Sequence, residues 1–153
     1  MFTLLNRVNI SEGGKLWLAN YSVHYDPEHM QEICDRSPYN LKKEIKDISK
    51  DELHRIAEEI GHALRQGLDR PKLTPVLHWD SLHRVGWAKI RVVDIMNDAG
   101  KSSGYRCLVL ADTKNKHAFL LHIYKHGSPK DDNIDRSTKN KLNHLVDEYA
   151  SSL

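Results

Sequence analysis

The spacing of apolar residues follows a helical period in the first part of the chain and a strand period from residue 85 onward. Leu53, Ile56 and Ile60 recur three or four residues apart, which is typical of an amphipathic helix. Later segments alternate between polar and apolar residues, as strands with one buried face do. The pattern therefore predicts an α+β protein in which helices precede a meander of strands.

Helix start signals recur in the first part of the chain. The Asp-Pro pair at 26–27 and the Ser-Pro pair at 37–38 each join an N-cap residue to a proline suited to the first helical position. Ser49 and Glu52 form a capping box directly before the apolar stripe. Three helices are therefore predicted between residues 26 and 66.

Strands dominate the second part and are expected at 87–95, 105–111 and 118–124. The polar turn at 112–116 is short, so the last two strands should pair antiparallel. A closing helix with Asp135 as N-cap carries an apolar stripe of Leu142, Leu145, Val146 and Tyr149. Near the N-terminus, two β-prone segments at 2–10 and 16–21 flank a Glu-Gly-Gly turn and predict a hairpin. We interpret residues 1–153 as one domain with an N-terminal part, 1–84, and a C-terminal part, 85–153.

Composition narrows the class of protein. The 153 residues are 39% hydrophobic and 29% charged, which is too polar for a membrane protein and too apolar for a disordered chain. The first 14 residues lack the basic start, apolar stretch and cleavage site of a secretory signal. Two cysteines, Cys34 and Cys107, form no disulfide framework and are expected to be inert core thiols. These features predict a cytoplasmic protein with no membrane partner.

The net charge of +2 is spread unevenly along the chain. Residues 1–84 hold 12 Lys and Arg against 13 Asp and Glu, whereas residues 85–153 hold 11 against 8. An anionic partner would therefore meet the C-terminal part.

Unusual polar residues stand on the predicted strands. Lys89 and Arg91 are two residues apart and leave the same face, which is also what a solvated outer face would show. Arg106 shares its face with Leu108 and Leu110, so its guanidinium needs an anionic partner. That partner is either an internal carboxylate or the phosphate of a ligand.

Histidines suggest two further kinds of site. His122 and Tyr124 share a strand face next to Lys125, where a histidine can move protons, although a lone strand histidine is more often structural. His54, Glu58 and His62 follow one another at helical spacing, but a zinc site needs more convergent ligands. A solvated helix face explains them better, and we predict no metal site.

The stretch from Trp87 to Tyr149 resembles the RelE/HigB superfamily of bacterial toxin ribonucleases. The resemblance is carried by KIRV at 89–92, GKSSGYRCLVL at 100–110, FLLHIYKH at 119–126 and the helix DRSTKNKLNHLVDEY. It implies a small twisted antiparallel sheet with helices packed on one side, here with an N-terminal hairpin and helical extension.

The resemblance also implies an activity and its residues. Family members cut messenger RNA, usually on the ribosome, by attack of a ribose 2′-OH on the adjacent phosphate, without metal or other cofactor. Six residues match or neighbour the family's catalytic positions: Lys89, Arg91, Arg106, His122, Tyr124 and Lys125. Three more are expected to contact RNA: Trp87, Lys101 and His126.

Partners and alternatives follow from the same resemblance. A toxin of this kind implies a cognate antitoxin, together with mRNA and the ribosome. The chain departs from the family pattern because some 85 residues precede the matching block and His126 stands where many members have an arginine. A non-catalytic RNA- or protein-binding member of the same fold, or an unrelated α+β protein whose basic strand contacts partners, are the competing hypotheses.

Overall fold

The computed structural model describes residues 21–66, 76–92, 104–125, 127 and 133–153. Within these residues, five strands form one sheet in the order β1-β5-β4-β3-β2. The strands are β1 (Ser22–His24), β2 (Val76–Trp79), β3 (Val85–Val92), β4 (Tyr105–Asp112) and β5 (His117–Lys125). The predicted N-terminal hairpin lies outside the described residues, apart from Tyr21.

Strand pairing corrects the expectation of a purely antiparallel sheet. The run β2, β3, β4, β5 is antiparallel, which confirms the predicted meander. β1 instead pairs with β5 in parallel, so the sheet is mixed. Parallel pairing is possible here because the chain between β1 and β5 crosses over through helices and three other strands rather than through a tight turn.

β2 has no counterpart among the predicted strands. It is only four residues long, and its one polar residue, His78, stands among apolar neighbours. The segment therefore shows no alternation of polar and apolar residues from which a strand could be predicted. It lies so close to β3 that a Cβ added to Gly86 would stand 2.8 Å from Cγ1 of Val76 and 2.9 Å from the carbonyl oxygen of His78. Because Gly86 has no side chain, β2 can pair with β3 at this close distance.

Four α-helices lie in the described part of the chain: α1 (Gln31–Arg36), α2 (Leu41–Ile45), α3 (Lys50–Arg65) and α4 (Arg136–Ser151). A 3₁₀ turn at Pro27–His29 precedes α1 and is capped by Asp26, as the Asp-Pro signal predicts. Ser49 caps α3 and Asp135 caps α4, both by accepting a backbone hydrogen bond, which confirms these predicted starts. The Ser-Pro signal is misplaced, because Asn40 caps α2 instead.

The sheet is covered on both faces, so the prediction of helices on one side is wrong. Trp87 and Ile90 point to opposite faces of β3 and both are buried. The indole of Trp87 donates to Asn143 of α4, which marks one face, the α4 face. α3 contacts β1 and β3, and the other face, which holds Ile90 and its cross-strand partner Cys107, is here called the α3 face.

A buried carboxylate ties α4 to the sheet. Asp112 ends β4, is fully buried, and accepts from the Tyr149 hydroxyl at 2.9 Å. It also accepts from the amides of Lys114 and Asn115 in the β4–β5 turn and from the Asn115 side chain. These donors compensate the burial of the charge and fix the helix over β4.

Candidate active site

Strand register brings five of the predicted catalytic residues onto the α4 face. Arg91, Arg106 and Tyr124 are direct cross-strand partners on β3, β4 and β5. In the neighbouring row, Lys89 pairs with Leu108, which in turn pairs with His122. Because residues two apart on a strand share a face, these two rows form one patch of cationic, aromatic and imidazole side chains.

Aromatic stacking organises the β5 side of this patch. The ring of His122 stacks on Tyr39, with centroids 3.7 Å apart and planes at 4°, and on Tyr124, at 5.0 Å and 27°. Nζ of Lys89 lies 5.9 Å from the centroid of the Tyr124 ring, within reach of a cation–π contact. The stack holds the imidazole in one orientation and links the two rows of the patch.

Glu44 is the main residue that the sequence reasoning missed. Its Oε2 lies 2.7 Å from Nδ1 of His122, and its Oε1 accepts from the amide of Ile123 at 3.0 Å. An ionised carboxylate only accepts hydrogen bonds, so it favours the tautomer in which Nδ1 carries the proton and Nε2 carries the lone pair. Neither Glu44 nor Tyr39 belongs to a sequence motif that would indicate a functional site. Their place in the site is visible only from the packing of α2 beside β5.

The two arginines of the central row differ in exposure. Arg91 is exposed, whereas Arg106 is only 4% exposed and its Nη1 lies 3.4 Å from the carbonyl oxygen of Tyr105. The prediction that Arg106 stands among apolar neighbours is confirmed, since Leu108 and Leu110 are fully buried on the same face. The row therefore combines a surface cation with an interior one.

Lys125 does not join this patch. It is one residue beyond Tyr124, so it leaves the α3 face, where its Nζ lies 5.6 Å from the ring centroid of its partner Tyr105. The adjacent cavity, of about 580 Å³, is also lined by the acidic residues Glu44, Asp47 and Glu52. Lys125 thus points away from the face that carries Lys89 and Arg91.

Of the three residues expected to contact RNA, the structure describes only Trp87. Trp87 is 1% exposed and lies under α4, with its Nε1 2.8 Å from Oδ1 of Asn143, so its ring is not available for stacking on a base. Lys101 and His126 lie outside the described residues. Of the nine predicted site residues, six lie on the α4 face, and five of these form the patch while Trp87 is covered by the helix: Lys89, Arg91, Arg106, His122 and Tyr124.

Neither the cysteines nor the helix histidines add a second reactive site. Burial raises the pKa of the Cys34 thiol to about 11 and raises that of the fully buried Cys107 further, so both thiols stay protonated at neutral pH. His54 pairs with Glu58 at 3.0 Å on the exposed side of α3. Across the described segments, no three His, Cys, Asp or Glu side chains converge in a way that suits a metal ion.

Comparisons with protein-family models, curated proteins and solved structures find no match to this chain. Among the helices that the structure describes, none combines the length and the apolar character needed to cross a membrane. Function is consequently inferred from the side chains of the α4 face.

Proposed function

We propose that the chain is a translation-inhibiting endoribonuclease, the toxin of a toxin–antitoxin pair, acting in the cytoplasm on mRNA at the ribosome. The observation that carries the proposal is the row Arg91, Arg106 and Tyr124 beside Lys89 and His122 on one sheet face. Lys89, Arg91 and Arg106 match catalytic positions in the resemblance to the RelE/HigB superfamily, and His122 and Tyr124 are local candidates beside them. The five residues are separated by up to 35 positions in the sequence.

In the proposed reaction, cations bind the scissile phosphate and an imidazole moves a proton. Arg91 and Arg106 stabilise the charge that builds up on the phosphate. Nε2 of His122 takes the proton of the ribose 2′-OH, and the imidazolium that forms is stabilised by the Glu44 carboxylate. The 2′ oxygen then bonds to phosphorus while the bond to the 5′ oxygen breaks, leaving a cyclic phosphate. The Tyr124 hydroxyl, in the same row as the arginines, supplies the proton to the departing 5′ oxygen.

Partners follow from this assignment. An mRNA-cleaving toxin needs to be neutralised in a resting cell, so we propose a cognate antitoxin with an acidic or helical segment that covers the basic patch. Copurification with the product of the adjacent open reading frame tests the pair, and absence of a stable complex would count against it.

Cleavage of RNA by the purified full chain is the direct test of the proposal. We expect wild-type protein to cut mRNA when ribosomes are present and to arrest growth on induced expression. Arg106→Ala and His122→Gln should abolish both effects, while circular dichroism checks that each variant folds. A wild-type chain that leaves both RNA and growth unaffected would contradict the enzyme assignment.

Burial favours a second candidate, binding of RNA without cutting. Arg106, His122 and Tyr124 are 4%, 5% and 8% exposed, whereas a catalytic group has to touch its substrate. In that case the exposed Arg91 would hold the phosphate and the buried residues would support the sheet. Wild-type protein that binds RNA in a filter or anisotropy assay, yet leaves it intact, would select this alternative.

A further inference from the structure

We propose that a groove between α1 and α4 binds the phosphate backbone of an RNA strand outside the candidate active site. The groove has a volume of about 550 Å³. It is lined by Arg36 from the end of α1 and by Arg136, Ser137, Asn140, Lys141, His144 and Glu148 from α4. The inference rests on the proposed function only in the choice of RNA as the ligand.

The groove carries an excess of positive charge. Glu148 is its one acidic lining residue, and its two oxygens lie 2.9 Å from Nη1 of Arg36 and 3.1 Å from Nε2 of His144. Arg136 and Lys141 add two exposed cations on successive turns of α4. With His144 neutral, the lining residues have a net charge of +2.

The chemistry of the lining favours a phosphate backbone over a protein segment. All seven lining residues are polar or charged residue types, and no Phe, Tyr, Trp or large aliphatic residue is among them. A helix or strand from a protein partner needs apolar anchors, whereas phosphates are held by Arg, Lys, Ser and Asn. Contacts of this kind position a nucleic acid without reading its sequence.

The place of the groove in the fold suits a binding surface that extends the candidate site. α4 covers the same sheet face that carries the patch, and Arg36 precedes Tyr39 of the aromatic stack by only three residues. The groove and the patch are therefore both bordered by α4 and by the segment that leads from α1 to Tyr39. The pairing of Arg36 with Glu148 joins α1 to α4 and keeps the groove assembled.

Binding of a 2′-O-methyl RNA of roughly 12 nucleotides tests the inference, because this probe cannot be cut and fits the usual length of a single-strand site. Fluorescence anisotropy with the full chain measures affinity at several salt concentrations. Lys141→Glu and Arg136→Glu should each weaken binding roughly tenfold and lower the salt slope by about 0.7 for each phosphate that the variant no longer neutralises. Lys114→Glu, in the exposed β4–β5 turn, makes the same change of net charge and should have a far smaller effect.

The outcomes separate the groove from the catalytic proposal. Weaker binding in the groove variants supports the groove whether or not the wild type cleaves RNA. If Lys141→Glu and Arg136→Glu bind the probe no worse than Lys114→Glu, the groove proposal is wrong even when cleavage is observed. A poly-glutamate peptide that displaces the probe at equal charge concentration would overturn the choice of RNA in favour of an acidic protein.

Discussion

Glu44 and His122 are joined by a 2.7 Å contact between Oε2 of the carboxylate and Nδ1 of the ring. Since the second oxygen of Glu44 accepts from the amide of Ile123, one side chain of α2 binds both a ring and the backbone of β5. The short helix is thereby attached to the part of β5 beyond its pairing with β1. The contact therefore has two roles. It attaches α2 to the sheet, and it orients the imidazole that would transfer the proton.

Removing the Glu44 carboxylate should change the tautomer of His122. In the wild type we expect the Nδ1–H form to dominate the neutral ring, because the carboxylate accepts from that nitrogen. Glu44→Ala should lose this preference and lower the free energy of unfolding by about 2 kcal/mol, because two hydrogen bonds are removed. Long-range ¹H–¹⁵N NMR correlations report the tautomer.

The control for this experiment is Asp47→Ala, which removes an exposed acid from the cavity that Glu44 also lines. It should leave the tautomer of His122 unchanged. An Nε2–H form in the wild-type protein would contradict the assignment.

Lys89 and Lys125 should differ although both match the family pattern. Lys89 lies on the α4 face over Tyr124, whereas Lys125 lies on the α3 face over Tyr105. Lys89→Ala should reduce the rate of RNA cleavage by roughly tenfold to a hundredfold, because it removes a charge that stabilises the transition state. Lys125→Ala should change it by about twofold or less, as surface substitutions away from a site do. If the wild type binds RNA without cutting, affinity replaces rate as the readout. A larger loss in Lys125→Ala would show that the face assignment does not govern function.

The sequence predicted the local elements of the fold well. Caps at Ser49 and Asp135 and the apolar stripe of α4 are local signals, so they were readable without knowledge of packing. The same holds for the alternation in β3, which assigns Lys89 and Arg91 to one side of the strand. It fails across β5, where a register shift puts His122 on the same face as Phe119, three positions earlier.

Long-range relationships were not readable. The parallel pairing of β1 with β5 and the covering of both faces depend on where the chain returns after its helices. Glu44 and Tyr39 enter the candidate site through packing against residues about 80 positions later, and no periodicity signals that. Trp87 was expected to contact RNA but is covered by α4. The strand pattern alone does not reveal which of its side chains a later helix will cover.

Tyr149→Phe should destabilise the protein by about 1–2 kcal/mol. The variant keeps the ring in the core but removes the hydroxyl that donates to the buried Asp112. The carboxylate retains its donors in the β4–β5 turn, so the destabilisation should stay moderate. Urea unfolding followed by far-UV circular dichroism measures the change, with the exposed His144→Phe as a control on α4. A free energy of unfolding equal to that of the wild type would show that the hydrogen bond contributes nothing net.

Acid should weaken the attachment of β1 through His24 and His117. Nε2 of His24 lies 3.1 Å from Nδ1 of His117, and His24 also stacks on Phe119. Burial, followed by the charges of His117 and His29, lowers the pKa of His24 from 6.5 to about 4. Burial likewise lowers the pKa of His117, although Asp112 opposes this shift.

Between pH 6.5 and about 4, the unfolded chain therefore binds a proton at His24 that the folded chain does not. The free energy of unfolding should fall as the pH decreases through this interval, by about 3 kcal/mol at most from His24, and this contribution should level off at lower pH. Urea titrations across the interval measure the slope. His24→Phe keeps the stacking on Phe119 without a titrating ring and should flatten the slope, whereas His54→Gln on the exposed side of α3 should preserve it. An unchanged slope in His24→Phe would assign the acid sensitivity to other groups.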